Sequence, residues 1–340
     1  MSQPIKDKIV QKANELGFDM AGFCVPTIKQ EWKDGLSKYI ADNQHGDMQY
    51  MEDNFEKRLD VTKLWEDTKP IIMLGVNFKQ VYLEKDDKNI GVFSSYAYGK
   101  DYHKHVKKML KKLGIYMVEE FDCEVKFFTD TPPFLEKQYA VEAGLGWQGR
   151  NSLLTSRKHG NSFFIGEILT NIEIKPDDNK KPDCCGGCKR CKDKCPTGAL
   201  DEDYRLDVKK CLSYYAIEHK GIIPDEIKPK MGNKIYGCDD CVEICPWNNF
   251  AKINDKDFFL PNEKYLNQDL GVFLDLTPES FIDLFAGSAI KRIGYERFMR
   301  NVLICVGNSG DKKYLPQVEK FLRSSGIVLD SALWAVNAIK

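Results

Sequence analysis

The sequence predicts a mixed α/β protein in three parts: a layered α/β domain over residues 1–175, a compact cysteine-rich module over 176–255, and a helical-repeat tail over 270–340. Three observations carry this reading. Helical and strand patterns interleave as far as about Lys175, which argues for helices layered on a sheet. All of the 12 cysteines except Cys24, Cys123 and Cys305 fall between Cys184 and Cys245. Beyond Thr277, apolar residues recur at three and four spacing, the period of packed helices.

In chain order, residues 6–16 read as an amphipathic helix closed by Gly17, and 20–25 and 71–78 as short buried strands. A second helix is expected over 103–113 with Gly114 at its end, then a strand over 125–129, a helix over 134–143 and a strand over 162–169. The pattern does not reveal the strand order. Residues 176–182 (PDDNKKP) are polar and proline-bounded, a linker by composition. Thr277-Pro278-Glu279-Ser280 places an N-cap before a proline at the first helical position. Helical patterns over 297–306, 314–323 and 330–339, split by GNSGD and SSG, suggest one or two stacked repeat units. One unit cannot bury its own face, so the tail is expected to pack on the rest.

Lys and Arg total 50 against 51 Asp and Glu, so bulk charge declares no nucleic-acid or membrane partner; such a partner would meet a local basic patch. The longest apolar stretch, 71–78, is far short of the about 20 residues that span a bilayer. The opening MSQPIKDKIVQKANELGF mixes charged and apolar residues, unlike a secretory or twin-arginine leader. The expectation is a cytoplasmic protein with no membrane partner. In that compartment thiols stay reduced, and clustered cysteines bind metal more often than they form disulfides.

Cys185, Cys188, Cys191 and Cys195-Pro196 match C-x2-C-x2-C-x3-C-P. In that run three thiolates hold one cube of iron and sulfide while the fourth reaches a second cube. Cys238, Cys241 and Cys245-Pro246 form the second set, with Cys211 upstream across an insertion. The reciprocal assignment gives one [4Fe-4S] cluster Cys185, Cys188, Cys191 and Cys245, and the other Cys195, Cys211, Cys238 and Cys241. Structural zinc favours separated CxxC pairs and fits these runs poorly. Cys184, beside the first ligand, leaves the register open by one residue. Cys24, Cys123 and Cys305 stand alone in apolar settings as packed core. The module is thus ferredoxin-like, a relay for single electrons that needs a terminal site.

Gly144-Leu-Gly146-Trp147-Gln-Gly149 is literally G-x-G-x-x-G, but it follows a helical pattern and precedes a loop or strand, the reverse of a dinucleotide fingerprint. Its glycines allow close backbone approach to something flat and large, or simply end a helix and make a tight turn. Asp130 closes an apolar strand and precedes Pro132-Pro133. Burial among phenylalanines would raise its pKa and suit it to general-acid work. On the residues alone, an Asp that turns the chain or caps the next helix is the simpler account. Glu136 has the same two readings. Tyr96-Ala-Tyr98-Gly-Lys-Asp101-Tyr102-His103 could wall a cavity, or could be a capped helix with surface tyrosines.

FTDTPPFLEK, AGLGWQGRNSLL, FFIGEIL, the cysteine run and YGCDDCVEICPWN together resemble the epoxyqueuosine reductase family over most of the chain. The resemblance implies an enzyme with two [4Fe-4S] clusters and cobalamin; the expected state is a monomer. Its members reduce the epoxide of epoxyqueuosine at the tRNA wobble position, giving queuosine. An external low-potential donor would feed the clusters, and they in turn cobalamin. The family's acid in its D-[ST]-x-P motif falls on Asp130, which would protonate the departing oxygen. Tyr98, Asp101, Tyr102, His103, Asp130, and Gly146, Trp147, Gly149 and Asn151 of the GLGWQGRNS loop would line the cobalamin cavity. Arg58 would contact the corrin's side chains, and no protein histidine would ligate cobalt. The substrate base must leave the anticodon loop, and Lys291, Arg292, Arg297 and Arg300 are candidates for phosphate contact. A corrinoid reductive dehalogenase-like enzyme and a two-cluster electron carrier are the competing readings; some 175 residues ahead of the linker argue against the carrier.

Overall fold

Ile9 and Ala13 form the buried stripe of α1 (Ser2–Glu15) in the computed structural model, which describes residues 2–80 and 87–340. Gly17, at φ +96°, turns the chain into β1 (Met20–Cys24). Three helices, α2 (Gln30–Ala41), α3 (Tyr50–Asp53) and α4 (Phe55–Leu59), lead to β2 (Ile71–Asn77), whose residues are all buried. Ile72, Leu74 and Val76 pack on the α1 side, while Ile71 and Met73 pack on the other. A strand apolar on both faces must be covered on both, and this one is.

β3 (Val92–Phe93) follows, and then α5 (Tyr102–Phe121), capped by Asp101, whose side chain accepts from the His103 N–H. The helix runs past its expected end at Gly114. A Cβ there would meet Val125 Cγ2 at 3.1 Å, so the glycine serves close helix–strand packing; Asp122, at φ +49°, ends the helix instead. After β4 (Val125–Phe128) come α6 (Glu136–Glu142), a hairpin of β5 (Trp147–Gln148) with β6 (Leu154–Thr155), and β7 (Phe163–Thr170). The sheet order is β1-β2-β7-β4, antiparallel throughout. Val106, Leu110 and Leu113 of α5 cover one face with α1; Tyr139 and Ala140 of α6 cover the other.

Asp177 in the proline-bounded stretch accepts from the Phe23 N–H at 2.8 Å and pairs with Lys6 at 2.7 Å, which ties that stretch to the sheet. The cysteine-rich region holds only short elements: α7 (Arg190–Lys194), α8 (Leu212–Ile217), β8 (Lys234–Tyr236) and α9 (Asp240–Glu243). β8 pairs in parallel with β3.

The tail comprises α10 (Leu270–Leu274), α11 (Pro278–Leu284), α12 (Gly294–Ser309), α13 (Leu315–Val318) and α14 (Gly326–Ile339). Thr277 and Ser280 close a reciprocal capping box on α11, as the TPES pattern predicts. The helix expected over 314–323 is broken: Pro316 starts a short α-turn that tightens into a 3-10 turn through Arg323. Phe273, Phe281, Phe298 and Val302 of the tail share one core with Phe93, Tyr98 and Ile235. The tail therefore packs on the rest. Among the described residues, no helix is long and apolar enough to cross a membrane.

Candidate active site

Asp130 stands just past β4 at φ +59°, a left-handed turn that carries its carboxylate beyond the sheet toward the start of α5. Its Oδ2 accepts from Tyr102 Oη at 2.7 Å and lies 2.7 Å from His103 Nε2. The other ring nitrogen, Nδ1, lies 2.7 Å from Asp101 Oδ1. Asp101 Oδ2 in turn accepts from Arg292 Nε at 3.1 Å and Nη2 at 2.9 Å. Burial alone would depress the imidazole, but the hydrogen bonds to Asp101 and Asp130 outweigh it and raise His103 to about 9. Burial works against the Asp101 charge too, and bonds from His103 and Arg292 override it, bringing the carboxyl down to about 2. Tyr102 is pushed up, by burial first and then by the Asp130 charge; its ring stacks on Phe164 at 3.8 Å.

Burial of Asp130 among phenylalanines is not what forms. Phe127 and Phe128 pack on opposite faces of the sheet, and the turn leaves the Asp130 side chain 52% exposed. Two further acids stand behind it, Glu136 half-buried and Glu167 buried. Glu136 Oε1 accepts from the Asp130 N–H at 2.7 Å. Glu167, opposite Phe128 and Met73 in the sheet, is wholly buried, and among the described residues neither carboxyl oxygen meets an N–H or O–H donor. It faces Glu136, with which it can bond only as a protonated acid. Burial, then the Asp130 charge, pushes Glu136 up to about 7; burial, then Glu136, pushes Glu167 well up. An acid inside the apolar FFIGEILT strand was the available signal for Glu167.

Two cavities sort the cysteines. One, of about 200 Å³, is lined by Cys185, Cys188, Cys191 and Cys245, with Cys184 at its side. The other, of about 410 Å³, is lined by Cys195, Cys211, Cys238 and Cys241 and continues along Phe78, Tyr96, Tyr102 and Phe164. Five thiols line the smaller space, Cys184 included, and four the larger; clustered soft donors of this kind suit an iron–sulfur cube. Among the described residues, no three His, Cys, Asp or Glu side chains converge as around a single ion. Asn151 lines both cavities, and its amide donates to the Cys241 carbonyl at 3.3 Å.

Several nominated residues lie elsewhere. Tyr98 is core: its hydroxyl accepts from the Phe93 N–H at 3.1 Å and its ring stacks on Tyr265. Gly146 serves the β5–β6 hairpin, where a Cβ would meet the Thr155 carbonyl at 2.1 Å; Gly149 faces Thr155 and Asn151 likewise. Trp147 Nε1 donates to Cys185 Sγ at 3.4 Å, so the GLGWQGRNS loop walls the smaller cysteine cavity rather than the Asp130 cluster. Arg58 is buried against Tyr50, donating to its carbonyl at 3.3 Å, with Nε unpartnered and the Glu136 charge within reach.

Of the four tail cations, Lys291 and Arg292 are exposed, while the two on α12 turn toward backbone carbonyls. Arg292 holds Asp101, Arg297 donates to the Ile293 and Ile217 carbonyls at 2.7 Å, and Arg300 is 0% exposed. Exposed charge instead collects on α5, where Lys104, Lys107, Lys108, Lys111 and Lys112 share the face opposite Val106, Leu110 and Leu113. His105 registers that charge: burial, then Lys100, Lys108 and Lys104, lower it.

Residues 184–248 match the model of a 4Fe-4S double cluster binding domain, and residues 58–131 that of "Epoxyqueuosine reductase QueG, DUF1730". The chain is 39% identical to the epoxyqueuosine reductase of Cyclobacterium marinum, over 87% of this chain and 95% of that one. It is 36% identical to the epoxyqueuosine reductase of Escherichia coli, over 99% of this chain and 91% of that one. It superposes with a TM-score of 0.93 and 26% identity on an epoxyqueuosine reductase solved with an epoxyqueuosine-modified tRNA-Tyr stem loop, covering 100% of this chain and 91% of the other.

Proposed function

The chain belongs to the epoxyqueuosine reductase family, and from that premise we propose that it converts epoxyqueuosine in tRNA to queuosine with Asp130 as the proton donor. The reaction takes the epoxide, two electrons and two protons to an alkene and water. The observation that supports the role of Asp130 is the line Asp130–His103–Asp101–Arg292 beside the larger cysteine cavity.

Two [4Fe-4S] clusters and cobalamin, when bound, supply low-potential electrons from an external donor. Cys185, Cys188, Cys191 and Cys245 hold one cluster; Cys195, Cys211, Cys238 and Cys241 hold the other. The aromatic wall of Tyr102 and Phe164 and the unpartnered Arg58 Nε suit a large, polar-rimmed macrocycle, held by Arg58, Tyr102, His103 and Asn151. Both ring nitrogens of His103 are engaged by carboxylates, which suits the ring to carrying a proton.

The chain's own work is proton delivery. His103 Nε2 carries a proton to Asp130 Oδ2, and Asp130, half-exposed and held by Tyr102 at the edge of the larger cysteine cavity, passes it to the oxygen leaving carbon. Asp101, clamped by Arg292, holds the ring and favours its charged form. Glu136 fixes the Asp130 backbone. The α5 lysines face phosphates of the substrate stem, and the helices over 277–339 form one helical-repeat unit. The enzyme works as a monomer in the cytoplasm, where its tRNA is.

The test is liquid chromatography of nucleosides from tRNA incubated with the reduced holoenzyme: queuosine should replace epoxyqueuosine. Asp130→Asn should keep its iron and corrinoid and lose turnover. Full activity in that variant removes Asp130 from the mechanism.

A further inference from the structure

The two cysteine cavities are not equivalent. The larger is lined by Tyr102, which holds Asp130; the smaller touches none of the acid cluster and lies against the surface. At its mouth stand Trp247 and Phe250, with ring centroids 5.8 Å apart and Phe250 68% exposed, and Ile244 is exposed beside Cys245. Around them Lys189, Arg190, Lys194 and Arg157 are all exposed, and Asp193 is the single acid between Cys184 and Cys195. A small apolar centre with a charged rim is the pattern of a brief redox encounter rather than a lasting complex.

We propose that this face docks an acidic one-electron carrier protein of the flavin-bearing class, which delivers electrons at the outer cluster site. The inference rests on the reductase reading and names the donor's surface. The sign of the rim selects an acidic partner, and its one open aromatic ring gives the carrier's flavin edge an apolar seat. The electrons balance. Each docking oxidises one flavin hydroquinone to its semiquinone and reduces one cluster by one electron, so two dockings serve one epoxide, and the protons come through Asp130.

The experiment uses the anaerobic holoenzyme and a bacterial flavodoxin reduced to the hydroquinone. Cluster bleaching is followed by stopped flow and binding by calorimetry. The double variant Lys189→Glu/Lys194→Glu should lose about tenfold or more in the second-order rate, together with most of its salt dependence. Its iron content, its tRNA affinity and its turnover with titanium(III) citrate should stay at the wild-type level. Phe250→Ser should weaken flavodoxin binding without changing the salt dependence. An unchanged flavodoxin rate in the double variant, or a loss of tRNA affinity in its place, overturns the proposal. Absent titanium-driven turnover in the wild type would sink the reductase reading, while the flavodoxin rate would still decide the docking face.

Discussion

His103 sits between two carboxylates at 2.7 Å each, and its charge follows from that position. Its folded value near 9 lies above the ordinary imidazole value, so the imidazolium, and the stability it contributes, is full below about pH 6.5 and is lost as pH rises through about 9. The reductase rate should therefore fall along a basic limb near that value in single-turnover measurements. Asp101→Asn removes a bond that raises the imidazole, so the limb should move to lower pH. A limb that stays in place separates His103 from the reaction. The sequence motif singled out Asp130 but not this partnership. The left-handed turn that swings the carboxylate toward α5 has no signature in an Asp-Thr-Pro-Pro run, and a histidine one position inside a capped helix reads equally well as surface.

At the scale of elements, β7 and α5 carry chemistry that their apolar pattern conceals. A mostly apolar run made β7 legible as a strand. Glu167 is hidden there because an acid in a buried row breaks the pattern instead of extending it. Burial raises the folded Glu167 carboxyl well above its ordinary value of about 4.5, so this group makes stability fall as pH rises past that value. Glu167→Gln keeps the shape without the titration. By calorimetry, its melting temperature should vary less than that of the parent between about pH 5 and 8. A parallel fall in both proteins would show that the pair does not share a proton. The lysines of α5 are illegible for a different reason: any amphipathic helix needs a polar face, and only the folded surface shows that theirs is basic over two turns. Lys107→Ala/Lys111→Ala should lower the slope of log affinity for the tRNA stem against log salt by about 0.9 for each phosphate that is no longer neutralised. An unaltered slope would make the face a solvated one.

For the whole molecule, ligand geometry and internal packing differ in how far sequence exposes them. Coordination fixes cysteine spacing within a few residues, so the cysteines that line each cavity fall into two groups already by their spacing. Arg300 shows the opposite case. Its spacing on α12 matches a surface cation, yet its guanidinium is 0% exposed and donates to the carbonyls of His219 and Gly221 at 2.8 Å and of Tyr215 at 2.7 Å. Burial pulls it down to about 10, and among the described residues backbone carbonyls, not a carboxylate, balance it. The neighbouring Asn301 amide donates to Ala216 and Ile235 at 2.8 Å, so two adjacent side chains latch the tail to the cysteine-rich region. Such partners lie some 80 residues away in sequence, beyond the reach of local pattern. Arg300→Ala leaves buried carbonyls without donors and opens a cavity, which together should cost about 3–5 kcal/mol. Calorimetry should show the whole protein melting earlier as one unit, because Phe93 and Ile235 share the tail's core. If the tail instead melts alone while the cluster region keeps its iron and its melting temperature, the latch is local and the tail is an independent domain.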